Sequence, residues 1–411
     1  MNLPLWIARR YFFSRRKRSF ISWLSLLSML GVGIGTMALV VVLSVFNGME
    51  ELNRAIFKTF EADLTISPRQ GKRIQMPAAL QQRIRQTPGV GLVTQVIEDN
   101  ALGRYADAQT IVKVKGVDST YLQRGQLDSA LVEGKLILNR NGTNFAIISE
   151  GLRNELTVSP QDILTPLELW YPQSAKSLNV LSGGSFNEER LTVAGVFFIE
   201  ERYDNYVVAP LAVVRNLVGY GPDELTGLEI QRQVDPSTGA DSPSDAALKQ
   251  TLQTMLGDVF VVKDRDDLNV DLYRAIHIEK LFVALTLAFI ILIASINIFF
   301  SLSMLVIEKK EDIRVLFSMG ATTGLIQGIF LAEGAIIALI GAFTGLVLGV
   351  ALCWLQDQYG LVRLGTVSSI IDAYPVRVEV GDLLMTGSLV ILITFLTSWF
   401  PARRAASYQA V

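Results

Sequence analysis

Residues 19–49, SFISWLSLLSMLGVGIGTMALVVVLSVFNGM, contain no charged side chain and decide the class of this protein. In a helix, which rises about 1.5 Å per residue, this run exceeds the roughly 30 Å thickness of a bilayer core. It is also longer than the apolar part of a signal peptide, and no small-residue cleavage pattern follows it. We therefore predict a retained first membrane span at residues 20–46.

Three further apolar runs lie near the C-terminus, and only Glu333 places a charge inside one of them. Six basic residues precede the first run, and Lys309, Lys310 and Arg314 follow the second. Because basic residues beside membrane spans stay on the cytoplasmic side, both termini and the loop after the second span are predicted to be cytoplasmic. The predicted order is a basic amphipathic lead (1–19), the first span (20–46), a large folded domain (47–275), the second span (281–307), a cytoplasmic coupling helix and loop (308–324), the third span (325–355), a short outer loop (356–382), the fourth span (383–401) and a cytoplasmic tail (402–411).

The large domain is predicted to be α+β. Residues 110–114, TIVKV, alternate as a strand does, and residues 150–156, EGLRNEL, follow a strand in the way a helix would. We expect two subdomains, the second at about residues 110–220. The predicted fold class is therefore an α-helical membrane protein with four transmembrane helices and a large extracytoplasmic α+β domain between the first and second helices.

The composition excludes several classes of function. Half of the 411 residues are hydrophobic, and the mean hydropathy of +0.37 fits a mixture of membrane spans and a water-facing domain. The net charge of −2 indicates no nucleic-acid partner. Cys353 and His277 are single residues of their kinds, which argues against an internal disulfide and a His/Cys zinc site. No phosphate-binding G-x-x-x-x-G-K-[ST] motif occurs, so we expect no catalytic centre, metal or cofactor in this chain.

Glycines recur at a spacing of four within two of the spans. Gly31 and Gly35 form one pair, and Gly341, Gly345 and Gly349 form a triple over two helical turns. Small residues four apart let helix backbones approach closely in lipid. We predict that both sets mark helix-packing faces.

The carboxylate of Glu333 is an unusual feature of the third span. A charged group within lipid is costly, so it faces protein or a polar cavity, or reaches the interface. We predict the last of these, with Glu333 near the cytoplasmic interface, where it extends to water or pairs with a basic residue.

The most informative short segment is residues 308–320, EKKEDIRVLFSMG, which is charged at first and then amphipathic. The side chains available for one apolar face are Ile313, Leu316, Phe317 and Met319. A helix lying on lipid headgroups, with Lys309 and Lys310 against phosphates, fits this pattern. A docking helix for a cytoplasmic partner fits it equally well.

Three segments together resemble a known family. They are IARRYFFSRRKRSFISWLSLLSMLGVGIGTMALVVVLSVFNGM (7–49), INIFFSLSMLVIEKKEDIRVLFSMGA (296–321) and WFPARRAA (399–406). The chain resembles, over essentially its whole length, the LolC/LolE-type permease subunits of the bacterial lipoprotein-releasing ABC transporter. These subunits form part of the MacB/FtsX-like permease superfamily.

The resemblance implies a set of partners and a location in the bacterial inner membrane. A second permease subunit, either a copy or a paralogue, would pair with this chain. A separate cytoplasmic ABC ATPase dimer would hold ATP and Mg and drive the pair. Lipid-anchored lipoproteins would be lifted from the outer leaflet and passed to a periplasmic carrier. The residues implied in coupling to the ATPase are Glu308, Lys309, Lys310, Ile313, Arg314, Leu316, Phe317, Met319 and Gly320.

The resemblance also implies a carrier-binding β-hairpin in the periplasmic domain, at about residues 174–188. Its candidate residues are Ser174, Lys176, Leu178, Val180, Gly183, Gly184 and Phe186. The segment does not clearly keep the proline-containing tip of the family, so LolC-like and LolE-like roles both stay open. Two alternative functions are a MacB-like mechanotransmitting exporter and an FtsX-like regulator of cell-wall hydrolases.

Overall fold

The apolar runs form long helices in the computed structural model, which describes residues 3–12, 20–172, 186–233, 244–363 and 373–407. Within these ranges four helices are long and apolar enough to cross a membrane, which confirms the four predicted spans. The chain divides into two units. We call them the bundle unit (Met1–Leu52 with Asp271–Val411) and the sheet unit (Asn53–Val270).

The long helices extend beyond the predicted spans. The helices are α1 (Leu3–Phe12), α2 (Phe20–Phe60), α3 (Ala78–Arg85), α4 (Thr120–Gln123), α5 (Glu150–Leu156), α6 (Leu211–Val218), α7 (Asp245–Leu256), α8 (Arg265–Leu268), α9 (Val270–Glu308), α10 (Lys310–Ser318), α11 (Thr323–Tyr359) and α12 (Val380–Ala406). Helix α2, for example, continues from the predicted end of the span at residue 46 to Phe60. Helical hydrogen bonds are satisfied within the segment itself, so the helix persists where the apolar composition ends. The sheet unit begins at Asn53 and ends at Val270, so it is slightly shorter than the domain predicted at residues 47–275.

The bundle unit has an apolar core contributed by α2, α9, α11 and α12. Its buried members are Val32, Leu39, Leu43, Ile291, Ile298, Leu302, Ile337, Ala342, Val390 and Ile393. Large apolar side chains such as Phe289 and Phe343 point outward from the same helices. Apolar side chains on both faces are typical of helices that lie in lipid.

The sheet unit is built on one mixed sheet. Its strands, with a separate β2–β11 pair, are β1 (Leu64–Pro68), β2 (Ile74–Gln75), β3 (Val90–Tyr105), β4 (Ala108–Val117), β5 (Leu131–Gly134), β6 (Asn139–Arg140), β7 (Thr143–Ser149), β8 (Leu167–Pro172), β9 (Phe186–Phe197), β10 (Tyr206–Pro210), β11 (Glu224–Leu225), β12 (Gly227–Arg232) and β13 (Phe260–Asp264). The main order is β13-β1-β12-β3-β4-β10-β7-β9-β5, and β8 pairs with β3 and β9. The β4–β10 and β7–β9 pairs are parallel.

One hydrophobic cluster supports this sheet, and it confirms the α+β class. Strand residues such as Ile66 and Val114 share it with Leu152 of α5, Val214 of α6 and Leu252 of α7. The predicted subdomain boundary near residue 110 falls inside β4, which pairs with β3 along its whole length. The sheet is continuous at this position.

Candidate coupling site and the polar networks of the two units

Helix α10 is a short segment between two long helices of the bundle unit. It begins at Lys310, two residues after the end of α9 at Glu308, and its first turn carries Glu311 and Asp312. Carboxylates near a helix N-terminus interact favourably with the exposed N–H groups. The ammonium of Lys309 lies 3.2 Å from the carboxylate of Asp312, and the guanidinium of Arg314 lies 3.2 Å from Glu311. These local pairs support a separate helix at this position.

A sharp turn connects α10 to α11. Gly320 has a φ of +89°, a conformation that favours glycine. The N–H of Ala321 then donates to the carbonyl of Leu316 at 2.9 Å, which closes the end of α10. The hydroxyl of Thr322 accepts from the N–H of Leu325 at 3.3 Å and caps the start of α11. A short, hydrogen-bonded turn at residues 319–322 therefore joins α10 to α11.

The inner face of α10 packs into the bundle. Ile313 is only 2% exposed, and Leu316 and Phe317 are half-buried beside it. We define the α10 cluster as the buried side chains Val306, Ile313, Ile326, Ile329, Phe330, Ala402 and Ala405. The cluster therefore joins α10 to α9, α11 and α12 through packed apolar side chains.

The outer face of α10 carries an exposed apolar pair. Met319 is 78% exposed and Val315 is 57% exposed. We call these two residues, which lie four positions apart, the α10 outer face. The predicted single apolar face of Ile313, Leu316, Phe317 and Met319 is wrong for Met319, because the helical period places Met319 beside Val315. The prediction omitted Val315, although its position four residues before Met319 indicated that the two side chains share one side of the helix.

The glycine triple of α11 lies against α2. A Cβ at Gly341 would approach the carbonyl oxygen of Met29 to 2.7 Å, and one at Gly345 would lie 2.8 Å from the Cβ of Thr36. A Cβ at Gly349 would also meet α2, at contact distances of 3.0 Å or more. Such distances leave no room for a side chain at the first two positions, so the two backbones approach closely here.

The glycine pair of α2 lies against a different helix. A Cβ at Gly31 would lie 3.2 Å from the Cβ of Ala294, and one at Gly35 would lie 2.7 Å from Cγ1 of Ile291. Both neighbours belong to α9. Helix α2 thus approaches α9 through its own glycines and α11 through the glycines of α11.

Glu333 lies on the buried side of α11 and is 5% exposed. Its Oε2 has no hydrogen-bond partner among the residues that the structure describes. No ion pair within the described ranges includes this carboxylate. The predicted extension to water is therefore wrong, since the helix face that bears Glu333 turns towards neighbouring helices. Lys309 interacts electrostatically with this carboxylate, so pairing with a basic residue stays a prediction.

A polar network joins three helices at the end of the bundle where α2 leads into the sheet unit. Lys280 donates to the Asn47 side chain at 2.7 Å and lies 3.2 Å from the carboxylate of Asp382. Asn47 also donates to Asp382 at 2.8 Å. Nearby, Arg377 pairs with Glu51 at 2.7 Å. Sequence reasoning missed this network, although Lys280 and Asp382 each immediately precede an apolar run.

The sheet unit contains a buried ionic triad. Glu229 lies 2.7 Å from both Lys115 and Arg124. Burial alone would raise the pKa of Glu229, but the adjacent Lys115 and Arg124 cations lower it below the usual value. A cavity of about 380 Å³ beside the triad is lined in part by Phe60 and Tyr206. Among the described residues, no group of three or more His, Cys, Asp or Glu side chains is placed so that it could hold a metal ion.

The candidate hairpin residues Ser174, Lys176, Leu178, Val180, Gly183 and Gly184 lie outside the described residues. Strand β8 ends at Pro172 and strand β9 begins at Phe186, and these two residues are paired in the sheet. Phe186 is exposed, and its ring centroid lies 6.0 Å from that of Trp170. The described base of the segment is thus an antiparallel strand pair with an aromatic contact.

Two family models match this chain. The MacB-like periplasmic core domain matches residues 25–249, which is more than half of the chain, and the FtsX-like permease C-terminal region matches residues 284–410. These two matches and the four apolar helices identify a membrane protein with a periplasmic α+β domain.

Several relatives align along the full length. The lipoprotein-releasing system transmembrane protein LolE of Haemophilus influenzae is 24% identical, over 100% of this chain and 98% of the relative. The LolC protein of Xylella fastidiosa is 25% identical, over 99% and 97%. The macrolide export ATP-binding/permease protein MacB of Pectobacterium atrosepticum is 25% identical, over 97% of this chain and 58% of the relative. The chain therefore belongs to the MacB-like and FtsX-like permease family, within which it resembles the LolC/LolE type.

Proposed function

We propose that this chain is a permease subunit of an ABC transporter that releases lipid-anchored proteins from the bacterial inner membrane. The observation that carries the proposal is the full-length similarity to transmembrane proteins of lipoprotein-releasing systems. In this role the chain performs no catalysis, and a separate ATPase holds ATP and Mg.

The α10 outer face is the docking surface for that ATPase. Its exposed Val315 and Met319 support this assignment, because an apolar pair on a helix end fits a protein partner better than bulk water. Both termini and α10 then face the cytoplasm, where ATP is available. Closure of the ATPase dimer displaces α10, and the α10 cluster carries the displacement into α9, α11 and α12 because its side chains are close-packed.

The work done on the substrate is the removal of acyl chains from lipid. Each buried CH₂ costs about 0.8 kcal/mol to extract, so several long chains need both an apolar shelter and energy from ATP. The shelter forms between this chain and a second permease subunit, which is a copy or a paralogue. A periplasmic carrier then receives the lipoprotein at the segment that begins after Pro172 and returns at Phe186.

Depletion of the chain in its native cell tests the function. Inner and outer membranes are separated on a density gradient, and acylated lipoproteins are measured in each. We expect lipoproteins to accumulate in the inner membrane and to return to normal when the wild-type chain is restored. An unchanged distribution refutes the proposal, and a defect confined to cell-wall hydrolysis or to export of another substrate favours the FtsX-like or MacB-like role.

A further inference from the structure

The first helix, α1, is held to the bundle by one face. Ala8 is fully buried, and Ile7 packs against the α10 cluster. The ring of Pro4 lies 3.5 Å from where a Cβ on Gly328 of α11 would be. Helix α1 is therefore fixed at the same end of the bundle as α10.

The opposite face of α1 combines apolar and cationic side chains. Leu5 is 56% exposed and Trp6 is 48% exposed. The guanidinium of Arg10 lies 5.6 Å from the centroid of the Trp6 ring, and Arg9 is exposed beside them. At a helical period of 3.6 residues these four side chains cover one continuous side, complementary to the buried side.

The positive charge of Arg9 and Arg10 makes this face complementary to an anionic ligand. Residues 1–18 contain six basic side chains and no acidic one, while the whole chain has a net charge of −2. Within the described ranges, no carboxylate forms an ion pair with Arg9 or Arg10. Tryptophan prefers the headgroup level of a membrane, and a ten-residue helix is too short to cross one. The arginines therefore lie where phosphate groups of lipids are available.

We propose that Leu5, Trp6, Arg9 and Arg10 form a binding site for the headgroup of an anionic phospholipid in the leaflet next to α10. The two arginines bind the phosphate, while Leu5 and Trp6 contact the start of the acyl chains. Because Ile7 packs against the α10 cluster, an occupied site holds that cluster in place. The lipid site is inferred from α1 alone. Only the effect of a bound lipid on coupling to the ATPase rests on the proposed function.

Lipid binding by the purified full-length chain in detergent tests this proposal. Native mass spectrometry counts bound dioleoyl-phosphatidylglycerol and, separately, dioleoyl-phosphatidylcholine. We expect R9Q/R10Q to weaken phosphatidylglycerol binding about fivefold for each arginine removed, without changing phosphatidylcholine binding. The control R403Q/R404Q removes two exposed arginines from α12 at the same end of the bundle, and we expect it to retain the affinity.

Three outcomes overturn the proposal. One is an equal loss of phosphatidylglycerol binding in both double variants, which shows general charge attraction. Another is equal binding of the two lipids by the wild-type chain. The third is unchanged phosphatidylglycerol binding in R9Q/R10Q, and if this variant also loses the partner ATPase, the face binds a protein instead. Thermal unfolding shows that each variant is folded before its lipid binding is compared. The measurement does not depend on transport activity.

Discussion

Truncation of the α10 outer face tests the docking surface directly. In V315S/M319S both apolar side chains become small and polar while the inner face is untouched. Full burial of a valine or methionine side chain contributes about 1.5–3 kcal/mol. With Val315 57% exposed and Met319 78% exposed, roughly 1–2 kcal/mol is available from each residue on docking. The loss of about 3 kcal/mol corresponds to a roughly 100-fold weaker affinity for the ATPase.

The affinity is measured by titrating the ATPase onto the full chain in nanodiscs, with thermal unfolding as the test of folding. I163S/L164S alters a still more exposed apolar pair in the sheet unit, and we expect wild-type ATPase affinity. I313S removes a buried side chain, and we expect a lower unfolding temperature. If folded V315S/M319S binds the ATPase within threefold of the wild-type affinity, the α10 outer face does not bind the ATPase.

Three further variants test the packing and the polar networks by thermal unfolding of the full chain. G345L should destabilise the bundle by about 1–3 kcal/mol through overpacking. The control G387A should not, because a Cβ at Gly387 meets no neighbouring atom within 4 Å. If G345L were as stable as the wild-type chain, close packing at Gly345 would be excluded. E229Q should cost about 3–5 kcal/mol near neutral pH, because it leaves buried cations unpaired. Because the folded pKa of Glu229 is lowered, its stabilisation is present above the unfolded pKa and is lost as pH falls through the folded one, so the deficit should shrink in acid; a pH-independent deficit would contradict this. K280M should cost about 2 kcal/mol, and the exchange K280D/D382K should recover part of it if the pair itself is stabilising.

Much of the architecture was predictable from local composition. An uncharged run long enough to span lipid is a strong signal, and each predicted span lies within one observed helix. Helix α5 has the bounds predicted from the sequence, Glu150–Leu156. Helix ends were less predictable, since α2 continues in helical form well beyond its apolar run.

The orientation of α10 was predictable only in part. Its amphipathic character was evident, but Met319 does not share one apolar face with Ile313, because the structure turns Ile313 into the α10 cluster and leaves Met319 exposed. The network of Asn47, Lys280 and Asp382 was not predictable, because its members are at least 102 residues apart in the chain.

The sequence by itself determined the four spans, the α+β character of the large domain and the position of the amphipathic segment. Each of these depends on the free energy of transferring neighbouring side chains between water and an apolar medium, which composition and period express locally. Only the tertiary structure decided which side of α10 is free, which helix each glycine set contacts, and that Lys115 and Arg124 enclose Glu229. These features depend on contacts between residues distant in sequence, and such contacts exist only after the helices and strands have packed.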